Sequence, residues 1–312
     1  MRKPLVSIIL PTHNGSRYIR KSIESCLSQS YKNLELIVVD DCSTDDTYVI
    51  VEEYIKADNR VKLIRNPKNL KLPLSLNTGF DAASGEFFTW TSDDNYYTDQ
   101  AIETMVDFLI YNQDHILVYS NYNIIDKNDQ IVGEKKFHDV NRSMVKWLGC
   151  GACFLYQKSL HDQLKGYDPS AFLIEDYDFF LRGLLVGKYK YMERTDLYHY
   201  RVHSGSLTSL YGHYNIDLMK IVVERRLSQL ISICSHMDKI LWYRKFAVYY
   251  GVRKNNAKRM NNYIGKLFKI SAANALVTVV YIVFMKITTG LLISINALAF
   301  LSFSALRIKK IS

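Results

Sequence analysis

Short apolar runs alternate with stretches of helical periodicity along the first 120 residues. In the first such stretch, Ile19, Ile23 and Leu27 recur at helical spacing after Ser16, which is expected to cap the helix. Strands that alternate with helices predict an α/β fold with a mainly parallel sheet. The predicted strands cover 6–10, 34–39, 61–64, 86–91 and 116–120, and the next helices begin after Ser43 or Thr44, with Asp45 and Asp46 in the first turn, and cover 74–83 and 98–111.

Polar side chains follow three of these strands. The segments are Pro11-Thr12-His13-Asn14, Asp40-Asp41 and Asp93-Asp94. The carboxyl ends of parallel strands share one edge of a sheet, and ligands of α/β proteins bind beyond that edge. We therefore expect these groups to line one crevice. The sequence contains no G-x-G-x-x-G and no Walker-type loop, so neither a dinucleotide site nor a P-loop is indicated.

Asp93 and Asp94 place two like charges side by side at the end of a strand. Such a pair raises the pKa of a carboxyl group unless a cation neutralises the charge. Carboxylate oxygens suit Mg²⁺ or Mn²⁺, which also bridge the oxygens of a diphosphate. One interpretation is a divalent metal site. The other is that Asp93 is a loop carboxylate and Asp94 caps the helix that follows.

Five segments together resemble the family 2 glycosyltransferases of the GT-A fold. The resemblance covers about the first 210 residues, in the order that the family has. It implies a Rossmann-like sheet flanked by helices, and an inverting transfer of a sugar from a nucleotide-sugar such as a UDP-sugar, with Mn²⁺ or Mg²⁺ as cofactor. The segments are VSIILPTHNGSRYIRKSIESCLSQSY (6–31), ELIVVDDCSTDDT (35–47), LNTGFDAASGEFFTWTSDDN (76–95), IEDYDFFLRG (174–183) and YHYRVHSGSLTS (198–209).

The resemblance assigns the nucleotide site to the strand ends and to the helix after the third strand. Asp41 or its neighbour Asp40 is expected to hydrogen-bond the uracil or the ribose, which needs an acceptor group. Asn77 and Gly79 match an N-x-G motif that lies over the nucleotide in relatives, and the alternative for them is an ordinary helix with a packing glycine. The expected nucleotide-binding residues are Pro11, Thr12, Asn14, Asp40, Asp41, Asn77, Gly79 and Asp93.

Three positions depart from the family pattern. Lys71 and Leu74 stand where relatives often have other residues near the N-x-G motif. Thr91 replaces the first acid of the family's D-x-D-D run. The predicted metal site therefore rests on Asp93 and Asp94.

Glu175 and Asp176 match an acid pair at the start of a helix in the acceptor half of the family. The resemblance implies that Asp176 is the general base, because an acceptor hydroxyl must lose its proton as it attacks the anomeric carbon. Glu175 is expected beside the acceptor or the diphosphate. The alternative is that Glu175, Asp176 and Asp178 are first-turn acids favoured by the helix dipole.

Arg201, His203 and Ser206 match a closing segment that in relatives folds over the diphosphate. Alternation along residues 198–203 places His199, Arg201 and His203 on one face of a predicted strand. A basic face suits phosphates, and a solvated strand edge is the alternative interpretation.

The chain has five cysteines. Their odd number and the lack of an N-terminal apolar run favour a reducing cytoplasmic setting. Cys150 and Cys153 form one C-x-x-C without a second metal-binding motif, in a predicted strand at 149–156. A structural role is therefore expected for both.

Charge divides the chain unevenly. Residues 239–312 hold thirteen of the 40 Lys and Arg residues and no Asp or Glu, which leaves residues 1–238 with a net charge of −4. Between 270 and 306 the only charged residue is Lys286, and Arg307, Lys309 and Lys310 follow. A basic, apolar region of this kind predicts contact with an anionic membrane surface. Charge alone would also allow a nucleic-acid patch, but the adjoining apolar run disfavours it.

How the apolar segment meets the membrane has more than one interpretation. Residues 287–306 just reach the length of a spanning helix, although six polar residues dilute them. A single span would place the basic cluster 307–310 on the far side from the cytoplasm, against the positive-inside tendency. A hairpin that turns near 286–290, or helices that lie in the interface, would keep both basic flanks on one side. A buried helix pair is the remaining alternative.

These observations predict three regions. Residues 1–215 form a GT-A catalytic domain, with a nucleotide-sugar half at 1–120 and an acceptor half at 121–215. Residues 216–269 form a basic helical region, and 270–312 an apolar membrane-associated segment. We expect a glycosyltransferase at the cytoplasmic face of the membrane, acting on a saccharide or lipid-linked acceptor and binding no nucleic acid. The alternatives are a non-catalytic nucleotide-sugar or membrane-surface binding protein, and a nucleotidyltransferase.

Overall fold

The computed structural model describes residues 3–288, apart from the side chains of residues 212–216. The strands are β1 (Val6–Thr12), β2 (Leu34–Asp40), β3 (Val61–Arg65), β4 (Phe87–Trp90), β5 (Tyr96–Tyr97), β6 (His115–Ser120), β7 (Tyr122–Ile125), β8 (Ile131–Lys135), β9 (Phe154–Gln157), β10 (Lys188–Met192) and β11 (Tyr198–Arg201). They form a seven-stranded sheet in the order β10-β6-β9-β4-β1-β2-β3 and a four-stranded sheet in the order β5-β11-β7-β8.

The large sheet is mixed and mainly parallel. β1 pairs in parallel with β2 and β4, β2 with β3, and β6 with β10. β9 runs antiparallel to its neighbours β4 and β6. The predicted α/β class is therefore confirmed, and each of the five strands predicted in the first 120 residues is present with ends that shift by no more than two residues.

The helices alternate with the strands as the sequence pattern predicts. They are α1 (Ile19–Leu27), α2 (Thr47–Ala57), α3 (Leu72–Asp81), α4 (Ala101–Tyr111), α5 (Lys158–Leu164), α6 (Glu175–Gly183), α7 (Leu207–Ile233), α8 (His236–Val248), α9 (Ala257–Ile270) and α10 (Ala272–Thr288), with a 3-10 turn at Pro169–Ala171 and a π-helical turn at Tyr249–Arg253.

The first two predicted helix starts are too early. α1 has Tyr18 at its N-cap, while the Ser16 N–H donates to the Asp45 carboxylate at 3.1 Å. Asp46 is the N-cap of α2, and Asp45 accepts a hydrogen bond from the backbone N–H of Thr47 at 3.1 Å. The Asp45 carboxylate thus connects the loop after β1 to the loop after β2. Short polar side chains of this kind compete with the helical backbone for hydrogen bonds.

Helices cover both faces of the large sheet. Ile8 and Val38 belong to a buried apolar cluster with residues of α1, α2 and α4. Alternate strand residues face the other side, where Phe80 of α3, Phe88 of β4 and Phe179 of α6 join an aromatic cluster. Burial of each such large apolar side chain stabilises the fold by about 1.5–3 kcal/mol. The two cores fix the sheet between its helices and so fix the edge where the polar residues lie.

The predicted strand around the C-x-x-C motif is shorter than expected. β9 begins at Phe154, because Gly149 and Gly151 adopt positive φ angles of 102° and 67° that end the extended conformation. Cys150 and Cys153 are both buried and unpaired with each other. Burial raises the pKa of Cys153 to about 12, which leaves its thiol unreactive at neutral pH.

The chain divides into two compact units, Met1–Leu230 and Ile231–Ser312. α7 crosses the predicted boundary at 215, and α10 lies in one unit with α8 and α9 rather than apart from them. Phe246 of α8 packs against Trp242 and Tyr263 in this second unit. Among residues 3–288, none of the helices combines the length and apolar character that a membrane crossing requires. Most of the apolar run 287–306, and the basic cluster 307–310, lie outside the described residues.

Candidate active site

The ends of β1 and β4 bring Thr12 and Asp93 together. The two strands pair in parallel with Ile9 opposite Trp90, so the residues that follow them emerge at the same edge. The Thr12 hydroxyl donates to Asp93 Oδ2 over 2.5 Å. Gly15 lies against this pair: a Cβ at this position would overlap the Asp93 carboxylate and stand 2.6 Å from Thr12 Oγ1. The sequence prediction that these strand ends converge is confirmed.

Substitution of Gly15 by alanine is expected to disturb the Asp93 carboxylate. The added methyl group must displace Asp93 or Thr12, at a cost in stability of about 1–3 kcal/mol for overpacking. We expect the affinity for a UDP-sugar with Mn²⁺ to fall at least tenfold, as measured by calorimetry. Gly133→Ala is the matched control, because its Cβ would meet no atom within 4 Å. Equal affinities for the two variants would contradict the placement of the site beside Gly15.

Asn14 joins the loops that follow β1 and β2. It adopts a left-handed φ of 57°, which asparagine tolerates better than most residues. Its backbone N–H donates to Ser43 Oγ at 2.9 Å, and its side-chain oxygen accepts from the Thr44 N–H at 2.8 Å. Pro11 is buried within β1. The predicted nucleotide contacts of Pro11 and Asn14 stay predictions, and the structure adds a loop-fixing role for Asn14.

Asp40 and Asp41 are buried and already engaged. Asp40 Oδ1 accepts from the Ser43 N–H at 2.9 Å, and Oδ2 lies 3.2 Å from Arg65 Nε. Asp41 accepts from the backbone N–H groups of Leu70 and Lys71, at 2.8 and 2.9 Å. Asp41 thus holds the loop before α3 against the end of β2. Contact of either carboxylate with a uracil or a ribose stays a prediction.

Asn77 and Gly79 fix α3 in place. The Asn77 amide donates to the Tyr167 carbonyl at 2.9 Å and accepts from the Tyr167 N–H at 2.8 Å. A Cβ on Gly79 would overlap Ile9 and approach Val39 to 3.0 Å, so glycine allows α3 to lie close to the sheet. Both residues therefore have packing functions of the kind that the alternative interpretation names, and their nucleotide contacts stay predictions.

Asp93 and Asp94 carry strongly perturbed carboxyl groups. Burial, followed by the charge of Asp94, raises the pKa of Asp93 to about 7. Burial likewise raises the pKa of Asp94, although His203 beside it acts in the opposite direction. Asp94 Oδ1 is buried without a hydrogen-bond partner. A cation would relieve both the repulsion and the unsatisfied oxygen.

His203 contacts Asp94 directly. Its Nε2 lies 2.9 Å from Asp94 Oδ2, and its Nδ1 accepts from the Gly205 N–H at 3.2 Å. This arrangement places the imidazole proton on Nε2, from which it is donated to Asp94. His203 is therefore a further polar side chain at the predicted metal site, in addition to Thr12, Asp93 and Asp94.

The donor set at this edge fits a hard divalent cation. Carboxylate oxygens are the ligands of Mg²⁺ and Mn²⁺, and Mg²⁺ is commonly held by one or two carboxylates together with water and substrate phosphates. Within the described residues there is no group of three or more His, Cys, Asp or Glu side chains placed to hold a metal by themselves. Asp93 and Asp94 would hold the cation, and the phosphates of the donor would complete its coordination.

Thr91, which departs from the family pattern, faces the protein interior. Its side chain is buried, and its hydroxyl lies 2.7 Å from the hydroxyl of Tyr198 on β11. An acid at this position would place a charge in the core rather than at Asp93 and Asp94. The Thr91 hydroxyl thus links the end of β4 to β11.

Glu175 and Asp176 form a second perturbed pair at the start of α6. Glu175 is buried, and its Oε2 has no hydrogen-bond partner. Burial, followed by the charge of Asp176, raises the pKa of Glu175 to about 8. Burial also raises the pKa of Asp176, whose Oδ1 accepts from the Tyr177 N–H at 2.6 Å. With a pKa of about 8, Glu175 holds its proton near neutral pH.

Asp178 anchors the helix that carries this pair. Its carboxylate receives Arg182 Nε at 2.7 Å and Arg226 Nη2 of α7 at 3.2 Å. Arg182 also donates to the carbonyls of Leu164 and Gly166. The alternative interpretation, in which first-turn acids are favoured by the helix dipole, therefore fits Asp178. It does not explain the buried pair Glu175 and Asp176, whose pKa values are raised.

Arg201 holds the closing segment in place. It is 2% exposed, its Nε donates to the Asp94 carbonyl at 2.8 Å, and its Nη2 lies 2.6 Å from Asp129. Its guanidinium also lies 4.4 Å from the ring centroid of Tyr18. The Ser206 hydroxyl donates to the His203 carbonyl at 3.2 Å and accepts from the Ser209 N–H at 3.3 Å, so it caps the start of α7. A diphosphate contact by Arg201 or Ser206 stays a prediction.

Sequence reasoning missed several residues that build this site. Gly15 follows Asn14 in an Asn-Gly pair, a signal for a tight turn that could have indicated a close approach. Tyr198 contacts Thr91 and Asp129 contacts Arg201, and in each pair the two residues lie far apart in the sequence. No local signal in the sequence marks such partners.

Comparisons with known proteins show the family to which the chain belongs. The sequence profile of glycosyl transferase family 2 matches residues 7–177, more than half of the chain. This chain belongs to glycosyl transferase family 2. A Bacillus subtilis protein named putative glycosyltransferase EpsE is 31% identical over 267 residues, which cover 83% of this chain and 95% of that protein. The chain spans 50–66% of the length of three other curated relatives that are named uncharacterized glycosyltransferases.

Two solved structures share the fold of this family 2 glycosyltransferase chain. S. aureus TarS in complex with UDP-GlcNAc has a TM-score of 0.61 at 18% identity, over 85% of this chain and 80% of that one. The mannosyltransferase PcManGT of Pyrobaculum calidifontis, in complex with GDP-Man and Mn²⁺, has a TM-score of 0.55 at 16% identity, over 98% and 81%. The mainly parallel GT-A-like fold that the sequence predicts is thereby confirmed.

Proposed function

We propose that this protein is an inverting glycosyltransferase that moves a sugar from a UDP-sugar to a saccharide hydroxyl. One observation carries the proposal: two buried acid pairs, Asp93 with Asp94 and Glu175 with Asp176, have carboxyl groups whose pKa values burial raises. Each pair also keeps one buried oxygen without a hydrogen-bond partner, Asp94 Oδ1 and Glu175 Oε2. Buried acids that are perturbed in this way are typical of a catalytic site rather than of structural ion pairs.

The two pairs have complementary roles in an in-line displacement. Asp176 takes the proton of the acceptor hydroxyl as that oxygen attacks the anomeric carbon. Glu175 keeps its proton near neutral pH and donates a hydrogen bond to the acceptor. Asp93 and Asp94 face the leaving diphosphate on the opposite side of the sugar. A divalent cation bound there would neutralise the negative charge of the departing UDP.

The donor assignment rests on likeness. TarS, which shares the fold, was crystallised with UDP-GlcNAc, and PcManGT with GDP-Man and Mn²⁺. The buried carboxylates Asp40 and Asp41 at the end of β2 could accept hydrogen bonds from uracil or from guanine. We therefore choose a UDP-sugar as the donor because segments 35–47 and 76–95 resemble the family.

We place the reaction at the cytoplasmic face of the membrane, with a lipid-linked acceptor of a surface polysaccharide or glycolipid. The concentration of thirteen Lys and Arg residues without a single acid after residue 238 supports this location, because anionic lipids attract such a region.

Product analysis tests the proposed reaction. The full-length protein is incubated with a panel of UDP- and GDP-sugars, Mn²⁺ or Mg²⁺, and membrane lipid extract, and the released products are separated. Acceptor-dependent release of UDP supports glycosyl transfer. Release of pyrophosphate from UTP and a sugar phosphate would identify a nucleotidyltransferase instead, and nucleotide binding without release from any donor would identify a binding protein.

The proton that Glu175 holds makes stability depend on pH. Its pKa is about 8 in the folded protein and near 4 in the unfolded chain. Its contribution is therefore present in acid and is lost as the pH rises toward and through 8, by on the order of a few kcal/mol. Glu175→Gln mimics the protonated form at every pH. We expect its melting temperature to exceed that of the wild type increasingly between pH 5 and 9, by differential scanning calorimetry without ligands. Parallel pH profiles of the two proteins would contradict the buried, protonated Glu175.

A further inference from the structure

α10 exposes a continuous apolar face. Its large hydrophobic residues on the solvent side include Val280, Phe284 and Ile287, which are 66%, 60% and 63% exposed. At 100° per residue they fall, with three neighbours, within an arc of roughly 140°. The complete set, here called the α10 face, is Leu276, Val277, Val280, Tyr281, Phe284 and Ile287.

The opposite side of α10 is committed to the fold of its own unit. Ala275, Val279 and Ile282 are buried, and Ile282 meets Gly251 in the π-helical turn. The one charged residue of the helix, Lys286, is also buried, and its Nζ lies 2.9 Å from Asn255 Oδ1. The helix thus has a packed side and an apolar solvent side, without any exposed charge on the latter.

Basic residues are exposed elsewhere in the same unit. Within α9 the buried side chains are Met260, Tyr263, Ile264 and Leu267, and the exposed positions include lysine and arginine. No Asp or Glu occurs from residue 239 onward. The exposed basic residues around α9 are Arg253, Lys254, Lys258, Arg259, Lys266 and Lys269.

We propose that the α10 face inserts into the interface of an anionic lipid bilayer while the basic residues of the same unit contact the lipid headgroups. An apolar helix face accompanied by lysine and arginine is the pattern of helices that lie in the plane of a membrane. A second copy of the chain would fit less well, because two such basic units repel each other. An apolar face of this extent is unusual on the surface of a protein without a binding partner.

This inference deepens the proposed function, because it supplies the surface at which a lipid-linked acceptor is met. It can fail independently, since lipid binding requires neither a sugar donor nor a catalytic base. Glycosyl transfer could in turn be disproved while membrane binding persists.

Co-sedimentation with vesicles tests the proposal. The full-length protein is mixed with vesicles of phosphatidylcholine alone or with 30% phosphatidylglycerol, a fraction on the order of the anionic content of cell membranes. We expect at least tenfold stronger binding to the anionic vesicles, and at least tenfold weaker binding by the double variant Val280→Asp/Phe284→Asp. Ile131→Asp/Val132→Asp is the matched control, because both residues are exposed in β8 and the charge change is the same. The control should bind as the wild type does.

Several outcomes would overturn the proposal. One is binding of the α10 variant as tight as that of the wild type, which would assign any lipid binding to other segments. Another is the absence of wild-type binding to either kind of vesicle. A third is that sedimentation velocity shows a dimer for the wild type and a monomer for the α10 variant, while neither protein binds vesicles. This result would identify a second copy of the chain as the partner of the α10 face. Circular dichroism and UDP binding verify that each variant is folded.

Discussion

Asp176→Asn is expected to reduce the turnover number for sugar transfer by about 10²–10⁴-fold, the range that a general base contributes. The amide keeps the size of the side chain and can still accept a hydrogen bond from the Tyr177 N–H. It cannot accept the proton of an attacking hydroxyl. Affinity for UDP should change little, because Asp176 lies on α6 and not at the Asp93–Asp94 edge. Turnover is measured as UDP release, and affinity by calorimetry.

Asp162→Asn is the matched control for this substitution. Asp162 is an exposed acid of α5 that pairs with Lys158, one helical turn away. An exposed pair of this kind contributes less than about 1 kcal/mol, so the control should retain wild-type turnover. Unchanged turnover in Asp176→Asn would show that another group is the base, whereas equal losses of turnover and UDP affinity would indicate a merely structural role.

Asp94→Asn is expected to abolish most of the metal-dependent affinity for the donor. The loss should be at least the ~10–100-fold that removal of an outer-shell partner of a metal causes. The substitution removes a carboxyl group whose pKa is raised by burial. Without metal, the Asp94→Asn variant should therefore be no less stable than the metal-free wild type near neutral pH, because a buried carboxylate no longer has to be ionised. The two readouts are UDP binding with and without Mn²⁺, and the melting temperature.

Asp81→Asn, an exposed acid at the end of α3, is the control for this experiment. It should leave both readouts unchanged. A loss of UDP affinity in Asp94→Asn that is the same with and without Mn²⁺ would contradict a metal at Asp94. A pronounced drop in melting temperature would instead assign Asp94 to the fold, through its contact with His203.

The site was predictable from the sequence where local patterns determine geometry. Apolar strands that end in polar residues place Thr12, Asp41 and Asp93 at one edge, because parallel neighbours such as β1 and β4 share a direction. The acid pair at Glu175 and Asp176 marks the start of a helix in the same way. In both cases the candidate site residues lie at the end of a strand or at the start of a helix, and the periodicity of apolar residues in the sequence locates these positions.

The partners of these residues were not predictable, because they come from distant parts of the chain. Arg201 has the charge of a phosphate ligand, yet the carbonyl of Asp94 and the carboxylate of Asp129 enclose it. Asn77 bonds the backbone of Tyr167, 90 residues away. The extent of α7 was missed for another reason: Gly212 lies beside the predicted boundary at 215, but the helix continues through it from Leu207 to Ile233.

The most direct test of the account follows the sugar itself. A UDP-sugar labelled in its sugar is supplied with Mn²⁺ and membrane lipid extract to the wild type and to Asp176→Asn, and label that enters the lipid phase is counted. The account predicts incorporation by the wild type that requires the extract, matches the UDP released, and falls by about 10²–10⁴-fold in the variant. Incorporation that is unchanged in Asp176→Asn, or UDP released without any label in the lipid phase, would contradict it.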